Sequence, residues 1–198
     1  MTMNDHRDLK MFTRAGRDLA LWGIANKAVP LAVVTTWNDQ RSEEDNVGRL
    51  RDVATPIRME LQERHVREAL IAAGHENLPF EVKTTMVYGS DDRGPCGFIV
   101  LFCQQTPPDR GTALLHHACR RIVKKNNQPG HVAWDGYNAY LFGPDGKIVR
   151  GLPPHDGTVE RVEEWCATIR PGFKVEGVFD RSMSYVQMRD HQTRPAQP

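Results

Sequence analysis

The chain is 198 residues long, 39% apolar and 26% charged, with a formal net charge of +1. That length can bury one sizeable core, and the composition excludes wholesale disorder. The near balance of charge excludes a surface basic throughout, and equally an acidic mimic of nucleic acid; any anion binding must come from a local patch.

Leu9, Phe12, Ala15, Leu19 and Trp22 recur at helical spacing, which predicts an amphipathic first helix ended by Gly23 and the turn before Pro30. Leu31 to Trp37 is a short, largely apolar run with β-branched residues, read as a buried strand that stops at Asn38 and Asp39. Ser42 is placed to cap the next helix, with Glu43, Glu44 and Asp45 in its first turn. Thr55-Pro56 predicts a break, with Thr55 capping a second helix from Pro56 to about Ala73.

Phe80 to Tyr88 and Cys96 to Cys103 read as two strands joined by a polar turn. The second is nearly all apolar, as a strand covered on both faces must be. A basic helix follows, then strand-like runs at His131 to Trp134 and Tyr137 to Phe142, and a turn before Lys147 to Val149. Leu152 to Thr158 is the best linker candidate. A short helix from Val159 to Ile169 carries Val162, Trp165 and Cys166 on its inner stripe. Phe173 to Phe179 and Ser184 to Met188 suggest a last hairpin.

Hairpins mixed with helical crossovers favour an α+β fold: a single domain with a mixed, largely antiparallel sheet packed by helices. Residues 1–150 form the expected main domain. Residues 157–190 add a C-terminal helix and hairpin on the same core, and 191–198 a frayed tail with nothing to bury.

The four cysteines are Cys96, Cys103, Cys119 and Cys166. The first ten residues are charged where a secretory leader needs an apolar run, and no apolar stretch approaches the roughly 20 residues that span a bilayer. The expectation is a cytoplasmic protein with free thiols and no membrane contact.

The densest chemistry lies on the helix from Ala113 to Lys125. At 100° per residue, Leu114, Leu115, Ala118, Cys119, Ile122 and Val123 share one face. His117, Arg120, Arg121 and Lys124 fall opposite, with Lys125 towards one edge. Such a patch can hold phosphates or another anionic partner. The plainer explanation is that cations near a helix C-terminus complement its dipole on an ordinary solvated face. No glycine-rich phosphate loop accompanies the patch, so no nucleotide cofactor is expected.

Other groupings are thinner. His116 and Cys119 lie three apart and could meet His131 or Cys103 as a metal site, or as a thiol and its base. The paired ligand spacing of a zinc site is missing, so no metal is expected. Glu81-Val82-Lys83 has the acid-x-Lys spacing of many metal-dependent nucleases, and charged alternation on a half-exposed strand explains it equally well. His131, Trp134, Asp135, Tyr137 and Tyr140 cluster around a tight turn. They could stack single-stranded bases, although packing accounts for Trp134 and Tyr140. Asp135 and His131 could also pair.

Thr36, Trp37, Asn38, Ser42, Asp45 and Asn46, with Gln128 and Trp134 further on, follow a pattern: a strand ending in Thr, an aromatic and Asn, a helix opened by Ser and an acidic-Asn pair, then Gln before an aromatic strand. Over Leu31 to Phe142 this resembles an uncharacterised bacterial family known as domain of unknown function 3293. Asp39 stands where that family has proline, and the helical region before Phe80 is longer. The resemblance implies only an α+β fold. Read physically, Asn38 and Asn46 flank a strand-to-helix turn, where short amides bond the backbone.

Two functions follow. One is a non-catalytic accessory or binding protein that engages a protein or nucleic acid through His117, Arg120, Arg121 and Lys124. The other is a hydrolase or metal-dependent nuclease using Glu81, Lys83 and nearby His and Asp residues. The lack of any dense catalytic signature favours the first.

Overall fold

The structure, a computed structural model, describes residues 10–11, 30–62, 81–104 and 108–179. The chain forms β1 (Lys10–Met11), β2 (Leu31–Val34), α1 (Glu43–Gln62), β3 (Glu81–Asp91) and β4 (Gly94–Gln104). Then come α2 (Pro108–Asn126), β5 (His131–Trp134), β6 (Ala139–Phe142), β7 (Ile148–Leu152), α3 (Val159–Ile169) and β8 (Lys174–Phe179). The strands make one sheet in the order β1-β8-β3-β4-β2-β5-β6-β7. Only the β1–β8 pair is parallel among these pairings. The fold is α+β, with the mixed and largely antiparallel sheet that the element order predicts.

Side-chain alternation sends successive residues of a strand to opposite faces. On one face Leu50 of α1 reaches Gly97, and His116 of α2 meets His131 of β5. On the other, Trp165 of α3 lies against Trp134, and Phe173 packs edge-on against Phe98. Helices therefore cover both faces of the central strands. Leu31 to Val34 and Phe98 to Leu101 are fully buried, which explains their unbroken apolar runs. Gly89 sits at the β3–β8 irregularity, where an added Cβ would meet the Lys174 carbonyl at 1.8 Å; only glycine lets these backbones close.

Several expectations are corrected. Lys10 and Met11, at the start of the expected first helix, instead form a strand on the edge of β8; the remainder of that helix lies outside the described residues. An open sheet edge offers unpaired backbone groups, and that pairing overrides local periodicity. There is no break at Thr55-Pro56: α1 runs through it. The residue before proline is biased against helical torsions, not barred from them. The expected end of a second helix at Ala73 lies outside the described residues.

The β3–β4 hairpin is longer than read and its turn shorter. Pairing continues to Asp91 opposite Gly94, and the Asp91 carboxylate closes the turn by accepting the Arg93 amide at 2.8 Å. Tyr137 is not in a strand: the Asp135 carboxylate accepts the amides of Tyr137 and Asn138, making a turn that leaves Tyr137 77% exposed. The strand after the next turn runs on to Leu152.

The expected linker is packed rather than free. Trp165 donates its indole N–H to the Pro153 carbonyl at 3.0 Å, and the buried His155 ring lies between Trp134 and Trp165. Consequently α3 and β8 share the sheet and core of the preceding strands. Thr158 caps α3 as its position allows, accepting the Arg161 amide at 3.2 Å. The Ser184 to Met188 strand and the 191–198 tail lie outside the described residues. Among the described residues, no helix is long and apolar enough to cross a membrane.

Candidate functional site

Three features merit consideration: the outer face of α2, a histidine pair beneath it, and a polar cleft at one end of the sheet.

α2 divides its two faces as its periodicity requires. Leu115, Ala118, Cys119, Ile122 and Val123 are buried. His117, Arg120, Arg121, Lys124 and Lys125 are all exposed. The Leu114 side chain lies outside the description. Arg120 and Lys124 make no ion pair among the described residues. Arg120 lies along the β6–β7 turn: a Cβ added to Gly146, which sits at φ +81°, would come within 2.8 Å of its Cδ and Nε. Helix and hairpin are thereby joined into one surface. Burial, and then the charges of Arg120 and His117, lower the His116 pKa.

Between helix and sheet, His116 Nδ1 and His131 Nε2 are 2.9 Å apart. Phe142 flanks both rings, with centroids 4.2 Å from His116 and 5.2 Å from His131. Burial, reinforced by His116, pulls the His131 pKa down to about 3, so this ring is neutral near neutral pH. Its Nδ1 is buried without a partner. One N–H···N hydrogen bond joins the two rings, and the tautomer sets which of them donates.

This pair is not the site expected from the sequence. Asp135 does not reach His131, because its carboxylate is committed to its own turn. Cys119 is in the core rather than exposed as a nucleophile. Cys96 and Cys166 are buried free thiols as well; burial pushes Cys96 up to about 12 and Cys166 well above its ordinary value. Protonated thiols of this kind are inert. Glu81 and Lys83 stand at the start of β3, opposite Gln104 and Phe102 on β4; their side chains lie outside the description. Among the described residues no group of three or more His, Cys, Asp or Glu is placed to hold a metal.

The third feature is not among the sites expected from the sequence. Where β2 ends and β5 begins, loops enclose a cleft of about 410 Å³. Trp37, Asn38 and Asp39 line it from the β2–α1 loop, and Asn127 and Gln128 from the α2–β5 loop. Arg93 enters from the β3–β4 turn and Arg170 from the end of α3.

Amides hold these loops in place. Asn46 accepts the Asn38 amide and donates to its carbonyl, both at 2.9 Å, while Asn38 Oδ1 accepts the Gln40 amide. Gln128 donates to the Trp37 carbonyl at 2.9 Å and ties one loop to the other. Asn127 adopts φ 51°, a left-handed torsion that asparagine tolerates. The backbone-bonding role expected of Asn38 and Asn46 is thus what the structure has. Of the residues in the sequence pattern that runs from Thr36 to Trp134, Trp37, Asn38 and Gln128 line this cleft, Ser42 caps α1, and Thr36 and Trp134 are buried.

Charge at the cleft is carried by two arginines and two aspartates. Arg170, whose side chain is only 7% exposed, donates from Nε and Nη2 to Asp91 at 2.6 and 3.2 Å. Its Nη1 lies 2.6 Å from Asp39. Arg93 bonds Asp91 at 2.9 Å and approaches the second oxygen of Asp39 at 3.6 Å. Burial alone would raise the Asp91 carboxyl, but hydrogen bonds from Arg170 and Arg93 outweigh it and hold the group at about 2. These four residues come from three separate segments, and each alone reads as an ordinary turn or helix-end charge. No spacing in the chain announces them.

No family model matches the chain, and no curated protein or solved structure matches it.

Proposed function

We propose that this is a non-catalytic accessory protein that engages another macromolecule through the outer face of α2, with single-stranded nucleic acid as the partner class its chemistry favours. One observation carries the reading: His117, Arg120, Arg121 and Lys124 stand together in solvent on a helix whose reverse face is locked into the core. The helix therefore presents these charges on a rigid support. Arginine supplies a planar fork for phosphate, and lysine a point charge.

The hairpin beside it supports nucleic acid over protein. From His116 the aromatic contacts run through Phe142 to Tyr140, both half-buried on the sheet face that α2 covers. Rings flanking a basic track suit bases that stack without sequence preference. The alternative reading, hydrolysis at Glu81 and Lys83, gains nothing comparable, because the histidine pair has no carboxylate partner among the described residues. Buried free thiols fit a reducing, cytoplasmic setting.

The test is fluorescence anisotropy with a labelled single-stranded oligonucleotide, comparing wild type with the Arg120→Glu/Lys124→Glu double variant. Wild type should bind with a salt-dependent affinity, and the slope of log K against log salt should shrink by about 0.7 for every phosphate that the variant no longer neutralises. Equal affinity in the two proteins overturns the reading. Binding of an acidic polypeptide, and not the oligonucleotide, at these residues would keep the surface and change the partner.

A further inference from the structure

The cleft at the sheet end takes no part in the proposed docking surface, and its chemistry differs from that surface in kind. The α2 face is a cluster of cations. The cleft is balanced, with Arg93 and Arg170 facing Asp39 and Asp91. A polyanion gains from the first and is repelled by the carboxylates of the second.

Arg170 is the anchor. A guanidinium carries five N–H groups, and the bonds to Asp91 and Asp39 use three of them. Two remain for a further acceptor. The bonds already made fix the plane of the guanidinium where the residue lines the cleft, so its charge is presented there without reordering. Arg93, 55% exposed at the rim, adds a second cation beside the first.

Asp39 supplies the opposite pole. One of its oxygens is engaged by Arg170, whereas the other has, among the described residues, the 3.6 Å approach of Arg93, beyond hydrogen-bond length. Its side chain is 42% exposed, so this second oxygen can accept an ammonium. Around the poles stand Asn38, Asn127 and Gln128, neutral groups able both to donate and to accept. The loops that carry them are already fastened by Asn46 and Gln128, so little ordering accompanies binding. The volume falls in the lower part of the roughly 300–1,000 Å³ range of small-ligand sites.

We propose that this cleft binds a free α-amino acid as its zwitterion, the carboxylate on Arg170 and Arg93 and the ammonium on Asp39, with the amides meeting a polar side chain. A plain inorganic anion would use half of this arrangement and oppose the other half.

Calorimetric titration and heteronuclear NMR with the common L-α-amino acids test the assignment. The controls are their N-acetyl and carboxamide forms and inorganic phosphate. At least one free amino acid should bind saturably and shift the signals of Asn38, Gln128 and the Arg170 guanidinium. Either blocked form should bind at least about tenfold more weakly, as should Asp39→Asn and Arg93→Gln, two exposed positions. Because wild type itself is titrated, failure of a variant to fold cannot mask the answer. The proposal is overturned if no free amino acid binds, if the blocked forms or phosphate bind as well, or if Asp39→Asn binds unchanged.

Discussion

The outer face of α2 and the cleft at the sheet end are both polar surfaces rich in arginine, yet they are built in opposite ways. One comes from a single helix, where the 3.6-residue repeat alone places His117, Arg120, Arg121 and Lys124 together in solvent. The other gathers Asp39, Asp91, Arg93 and Arg170 from separate segments, with Asp91 and Arg170 almost wholly withdrawn from water. A charge on the first surface is held by one element and screened by solvent. A charge in the second has its partners on other elements, so the fold and the site depend on each other.

That contrast can be broken most forcefully at Arg170. Arg170→Ala leaves the Asp91 carboxylate, 1% exposed, without its main partner, and should destabilise the protein by about 3–5 kcal/mol in urea unfolding. A loss under 1 kcal/mol would mean that the quartet is not coupled to folding. Leu115→Ala, on the inner face of α2, should cost about 2–5 kcal/mol by opening a cavity.

Acid should act next, and mainly through His131. Its folded pKa of about 3 lies below the unfolded value near 6.5, so below pH 6.5 the unfolded chain takes up the proton first. Stability is therefore intact above pH 6.5 and falls as pH drops towards 3, by up to about 1.4 kcal/mol per pH unit from this ring. His116 adds in the same direction. Asp91 enters later: its contribution is present above the unfolded value of 3.8 and is lost as pH falls through about 2. Chemical denaturation from pH 7 to 4 should show the His131 slope, and His131→Phe should flatten it. An unchanged slope in that variant refutes the assignment.

Asn46→Ala probes the cleft loops without touching α2. It strips the Asn38 backbone of two bonds and should cost about 1–3 kcal/mol, with spectral shifts confined to the β2–α1 and α2–β5 loops. The smallest effect is expected at Arg120→Glu and Lys124→Glu. Both positions are solvent-exposed, so thermal stability should stay within about 0.5 kcal/mol of wild type. A larger loss would show that the α2 face supports the fold and is not a free surface.

Legibility in the chain followed the range of the interaction. The cap at Ser42, the buried runs of β2 and β4, and the two faces of α2 depend on neighbours within a few residues. Where a distant partner intervened, the local signal misled. Lys10 and Met11 pair with β8 instead of turning into a helix, and Leu152 to Thr158 is pinned by Trp165 rather than left as a linker. Asp91 reads as a turn residue; it is instead the last residue of β3, and its carboxylate is taken by Arg170, 79 positions away.

The amino-acid sequence by itself determined the class of fold and the charged side of α2, because periodicity and capping are local and are written residue by residue. The tertiary structure alone decided the His116–His131 contact, the sheet edge taken by β1 and the four-residue charge cluster. Their energies come from desolvation and partners supplied by remote segments, and neither quantity exists until the chain has closed around them.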